Sequence, residues 1–117
     1  MKIDRIMEIL DAKICTEFPY DDIDIHTACG TDLMSDALAY ADNKGLLLTG
    51  LNNPQSIRTA EMMDICCVVI VRGKEPDPGL VSLAQDKEIV VLRTNYPMFT
   101  ACGLLYEAGV AGGEVRG

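Results

Sequence analysis

The chain has 117 residues, five of them cysteines, with a formal net charge of −8 and a pI near 4.4. That length suits one domain with a single core and requires no metal or disulfide staple. The acidity argues against binding nucleic acid or an anionic membrane through the bulk field, and the longest apolar run, Ile65 to Val71, is far too short to span a bilayer.

Hydrophobic residues make up 49 % of the chain and aromatic ones only 5 %, so the core is expected to be aliphatic, with Met and Cys as fillers. Acids interrupt the first apolar stretch, MKIDRIMEIL, which therefore does not read as a signal sequence. The odd set Cys15, Cys29, Cys66, Cys67 and Cys102 has no CxxC spacing, which implies free, mostly buried thiols and a cytoplasmic protein. Charge is unevenly spread. Residues 1–42 carry ten acids and three bases, and residues 43–117 carry eight and seven, so an anionic ligand is better received by the second part.

Ile3, Ile6, Met7 and Leu10 recur at helical spacing and predict a helix over 3–10. KICTEF reads as a brief strand, and the acidic stretch PYDDIDI leads into another that ends near Cys29. Gly30-Thr31-Asp32 resembles a turn with an N-cap. It precedes a helix whose apolar face is Leu33, Ala37, Leu38 and Ala41, ended by Asn43-Lys44-Gly45. LLLTG is a short buried strand. Asn53 followed by Pro54 is a good helix start, with Ile57, Ala60, Met63 and Asp64 on one face. ICCVVIV is apolar on both sides, as in a central parallel strand. RGKEPDPG is a loop, LVSLAQDK a helix, and EIVVLRT another two-sided strand. Pro97 opens a last helix that aligns Phe99, Cys102, Leu105 and Tyr106, with Gly103 pointing to close backbone packing against the sheet or another subunit. Residues 110–117 are expected to fray.

The second half alternates strand and helix, which favours a parallel sheet with right-handed crossovers. The strands then leave at GTD, TGLNN, RGK and RTN on one edge, where open α/β sheets bind ligands. Arg72, Lys74 and Arg93 sit there, with Arg58 a turn into the helix that starts there. TGLNNP lacks the glycines and the Lys-Ser/Thr pair of phosphate-binding loops. It is a capped strand–helix connection or a cradle for an anion. In the second reading Thr49, Gly50, Asn52 and Asn53 join Arg72 and Arg93 in holding an anionic or nucleotide-like molecule, through unpaired helix N–H groups and charge-assisted hydrogen bonds.

The remaining candidates are weaker. His26 and Cys29 are three apart in extended chain and point to opposite faces, unsuited to one metal ion. Asp21, Asp22 and Asp24 lack the rest of a calcium loop and read as a solvated turn. No Gly-x-Ser-x-Gly elbow or other evident nucleophile–base pair is present, and no cofactor is implied.

The stretches LLLTGLNNPQSIRTAEMMD, VVIVRGKEPD and TNYPMFTACGLLYEAG resemble the DRTGG domain family, over most of the chain. The family is similar to the N-terminal domain of HPr kinase/phosphorylase. The resemblance implies a three-layer α/β/α fold with a mainly parallel sheet, a non-catalytic regulatory or sensing role, a regulated partner enzyme and association as a homodimer. The namesake string Asp-Arg-Thr-Gly-Gly is absent, the nearest text being Thr49-Gly50, so no role tied to that string carries over. The expected molecule is a cytoplasmic single-domain sensor spanning 1–117. The alternatives are a small enzyme acting on a phosphorylated metabolite and a protein-interaction scaffold without a small ligand.

Overall fold

The computed structural model describes residues 1–113. Ten elements follow in order: α1 (Ile3–Leu10), β1 (Lys13–Ile14), β2 (Ala28–Gly30), α2 (Met34–Tyr40), β3 (Leu46–Thr49), α3 (Pro54–Met62), β4 (Cys67–Ile70), α4 (Pro78–Lys87), β5 (Val90–Arg93) and α5 (Met98–Glu107). They build one five-stranded sheet in the order β1-β5-β4-β3-β2, with a layer of helices on each face.

The central three strands are those expected from their two-sided apolar runs. Leu47 lies opposite Val68, and Val68 opposite Val91, all in parallel register. Alternation sends Leu46, Leu48, Cys67, Val69, Val90 and Leu92 to one face, where Ile3, Ile6 and Leu10 of α1 and Ala101 and Leu105 of α5 cover them. Leu47, Val68, Ile70 and Val91 point the other way, beneath Ala37, Ile57, Ala60, Leu80 and Ala84 of α2, α3 and α4. Each parallel crossover advances the sheet by one strand in the same direction. Three such steps lay all their helices on one face, and α1 and α5, from the two ends of the sequence, close the other.

β1 is the exception to the parallel pattern. It runs antiparallel to β5, Lys13 opposite Arg93 and Ile14 opposite Leu92. Cys15 N–H extends the pairing to Val91 O at 2.8 Å, and the buried Thr94 hydroxyl donates to Leu10 O at 2.6 Å, fastening the end of α1 beneath the sheet.

Several local expectations are corrected. α2 buries Met34, Ala37 and Ala41, and leaves Leu33 and Leu38 exposed. The left-handed residue after α2 is Lys44 rather than Gly45, its N–H held by Asp64 O at 2.6 Å. α5 faces the sheet with Ala101 and Leu105, so Phe99 and Tyr106 stand out in solvent, 89 % and 74 % exposed. The physical reason is close approach: a Cβ on Gly30 would lie 2.6 Å from Cys102 Sγ and 3.2 Å from Met98 Sδ. Bulky residues cannot share that contact. Gly103, in contrast, would meet nothing within 4 Å, so packing on the sheet does not explain it. The expected loose tail is docked at its start. Val110 is buried, and Ala111 donates to His26 O and accepts from Ala28 N–H, pairing with the outer edge of β2. Residues 114–117 lie outside the described part.

Candidate functional site

Four strand exits lie at one edge of the sheet, as expected, and three of them meet at a single carboxylate. Asp32 follows β2, and instead of capping α2 it turns across to β3. Its Oδ1 accepts the Gly50 N–H at 2.5 Å and the Thr49 hydroxyl at 3.3 Å, while Oδ2 faces Arg72 Nη2 at 3.4 Å. Thr49 is fully buried, and its hydroxyl also accepts the Leu51 N–H at 3.0 Å. The Gly50 carbonyl in turn takes the Lys74 ammonium at 2.8 Å, so the peptide units flanking Gly50 bind an acid on one side and a base on the other.

Arg72 reaches this place at a backbone cost. It and Gly73 are consecutive left-handed residues, with φ of 66° and 68°. Glycine takes that conformation freely, whereas arginine loses about 1–2 kcal/mol. The strain is held by two hydrogen bonds of 2.9 Å, Arg72 N–H to Tyr96 O and Gly73 N–H to Thr94 O. Gly50 supplies the room: a Cβ there would fall 2.0 Å from Arg72 Nη2. The guanidinium therefore rests directly on the Gly50 backbone.

The other expected ligand-binding residues are arranged differently. Asn53 caps α3 by accepting the Gln55 N–H at 2.9 Å. Asn52 spans two loops, donating to Glu75 O and accepting from Asp77 N–H, both at 2.8 Å. Arg93 does not join Arg72. Its guanidinium pairs with Glu75 and lines a separate cleft on the β1 side of the sheet. The expected six-residue site thus divides into a Thr49–Gly50–Arg72 cluster, two asparagines bonded to backbone, and Arg93 alone. The strand order explains this. With no reversal along β2-β3-β4-β5, neighbouring loops lie over one another and open no crevice between them. Sequence reasoning missed Asp32, although an acid at the first strand exit with bases at the last two was the available signal.

His26 and Cys29 do not converge: His26 turns to Asp24 at 3.6 Å, and Cys29 packs on the α2–α4 side. Burial pushes the thiols of Cys15, Cys29, Cys66, Cys67 and Cys102 up from their ordinary value, Cys67 most. These are packing groups rather than thiolates.

The sequence profile of the DRTGG domain matches residues 5–108. The chain belongs to the DRTGG domain family. Among solved structures, this DRTGG domain is similar to the CBS and DRTGG domains of the regulatory region of Clostridium perfringens pyrophosphatase, complexed with its activator diadenosine tetraphosphate. The TM-score is 0.69 at 14 % identity, a likeness of fold alone. It covers 93 % of this chain and 47 % of the other, so the DRTGG domain spans about half of that regulatory region. No curated protein matches the chain. No helix among the described residues is long and apolar enough to cross a membrane.

Proposed function

We propose that this DRTGG domain is a non-catalytic cytoplasmic regulatory module that senses an anionic, nucleotide-like small molecule at the carboxyl edge of its sheet and acts on a partner enzyme. The observation that carries this reading is the convergence of a backbone N–H, a hydroxyl and a guanidinium from two strand exits on the Asp32 carboxylate. Those donors suit one oxyanion, and a ligand phosphate presents the same oxygens with more charge. It would replace Asp32 and release the segment that starts α2, a local change that a partner can read. The neighbouring pyrophosphatase region, solved with a nucleotide activator, supports the choice of ligand class. The protonated thiols weigh against a cysteine-based enzyme.

A thermal-shift screen of adenine nucleotides, diadenosine tetraphosphate and sugar phosphates tests the proposal. A ligand at 100 times its Kd adds about 2.7 kcal/mol to stability, an easily read rise in Tm. Arg72→Ala should remove most of that rise, since a hydrogen bond to a charged group contributes about 1.5–3 kcal/mol. No shift with any anion, or an equal shift in the variant, overturns the assignment.

We also infer self-association through the outward face of α5. Phe99 and Tyr106 flank Gly103 there, beside an apolar hollow of about 360 Å³ floored by Gly30, Leu48 and Val110. In a chain of net charge −8, the stretch from Pro97 to Gly113 carries one charged residue, Glu107. Two strongly acidic copies repel least across such a face, and an isologous contact lets each Phe99 enter the hollow of its partner.

A further inference from the structure

A cleft of about 950 Å³ between β1 and α4 lies away from the Asp32 cluster. It exists because α4 is the last helix of its layer. β1 extends the sheet one strand beyond it, and that strand's face stays uncovered on the α4 side.

Two cations stand in this cleft. Lys13 and Arg93 are direct partners in the antiparallel ladder, so their side chains leave the sheet on the same face, with Cβ atoms about 4.5–5.5 Å apart. Like charges directly opposite each other destabilise a sheet. Only one of them is compensated. Arg93 is 28 % exposed and pairs with Glu75, whose side chain is 82 % exposed and readily exchanged for another anion. Among the described residues Lys13 has no ion-pair partner. Apolar groups stand beside this pair: Cys15 just after the strand, Pro76 from the loop, Pro78 and Val81 from α4. Acids complete the lining, Glu17 and Asp86 together with Glu75.

We propose that this cleft binds a small organic monocarboxylate, its carboxylate between Lys13 and Arg93 and its hydrocarbon body against Cys15, Pro76, Pro78 and Val81. A planar carboxylate matches the guanidinium fork and relieves the like-charge pair by displacing Glu75. The volume falls in the range of small-molecule sites. The acids select against polyanions: once Glu75 is displaced, Lys13 and Arg93 balance Glu17 and Asp86, so one carboxylate leaves a single excess negative charge where a polyphosphate would leave several. Nucleotides and carboxylates are thereby assigned to different places on one sheet edge. The inference does not rest on the Asp32 cluster, and each can fail alone.

The test is a ¹⁵N–¹H NMR titration of the whole chain with 3-phenylpropionate, against 3-phenylpropanol and inorganic phosphate as controls. The expected result is saturable shifts at the amides of Ile14, Cys15, Val81 and Arg93 in the millimolar range, with each control at least tenfold weaker. Lys13→Glu should weaken binding at least tenfold and Lys13→Gln by less. Both change an exposed side chain and leave the fold intact. Arg72→Ala should bind as wild type does. Shifts centred on Gly50, equal binding by Lys13→Glu, or equal binding of phosphate or the alcohol each overturns the proposal.

Discussion

Gly50 matters for the volume it leaves rather than for the conformation it allows, since it is not among the left-handed glycines. The atom that a Cβ would strike first is the far end of a flexible arginine. Gly50→Ala should therefore displace the Arg72 guanidinium and leave the fold nearly untouched, within about 0.5 kcal/mol of wild type. The expected outcome is a melting temperature close to wild type without ligand, and a ligand-induced rise as small as that of Arg72→Ala. Calorimetry of both variants with and without nucleotide checks this. A full ligand response in Gly50→Ala would show that the place of Arg72 over the Gly50 backbone is unimportant for binding.

At the scale of elements, the seating of α5 on the sheet puts two glycines in opposite environments. A methyl on Gly30 would press on Cys102 and Met98, an overpacking that typically costs about 1–3 kcal/mol. A methyl on Gly103 meets open space and gains helix propensity, about 1 kcal/mol. Thermal melts of dilute protein should thus show Gly30→Ala falling and Gly103→Ala rising; the same sign for both would contradict the described seating of α5.

That seating also marks where the sequence stops being readable. β3, β4 and β5 were legible because four-residue runs such as CVVI, buried on both faces, have no other use in a protein this small. α1 was legible to the residue because its apolar positions keep a single stripe. α5 was not, because Met98, Phe99, Ala101, Cys102, Leu105 and Tyr106 surround the helix, and only contact with Gly30 decides which side goes in. The anion cluster was half legible: Thr49, Gly50 and Arg72 could be named from strand exits, whereas the separation of Arg93 depends on which face it leaves the sheet. That follows from its register with β1, a two-residue strand with little signal of its own.

For the whole molecule, the sequential order of the parallel strands opens no central crevice and leaves the Asp32 cluster, the cleft at the β1 edge and the α5 face as three separate surfaces. The α5 face carries the prediction of a homodimer. Light scattering should give twice the chain mass at high micromolar concentration, and Phe99→Asp, which puts a charge on each copy at the contact, should return a monomer with an unchanged melting profile. A wild-type monomer, or a Phe99→Asp dimer, overturns it.

The uneven layout of charge predicts opposite responses to ionic strength at the α5 face and at the Asp32 cluster. Repulsion between copies of net charge −8 acts across open solvent and is screened as the Debye length falls from about 10 Å at 0.1 M salt to about 3 Å at 1 M. The proposed contact at α5 holds almost no charge to be screened, so added salt should tighten the dimer. The same salt competes with any anion for Arg72, which is 47 % exposed. One buffer change should therefore move assembly and ligand binding in opposite directions, a dilute, low-salt sample being the one expected to be most monomeric and most receptive.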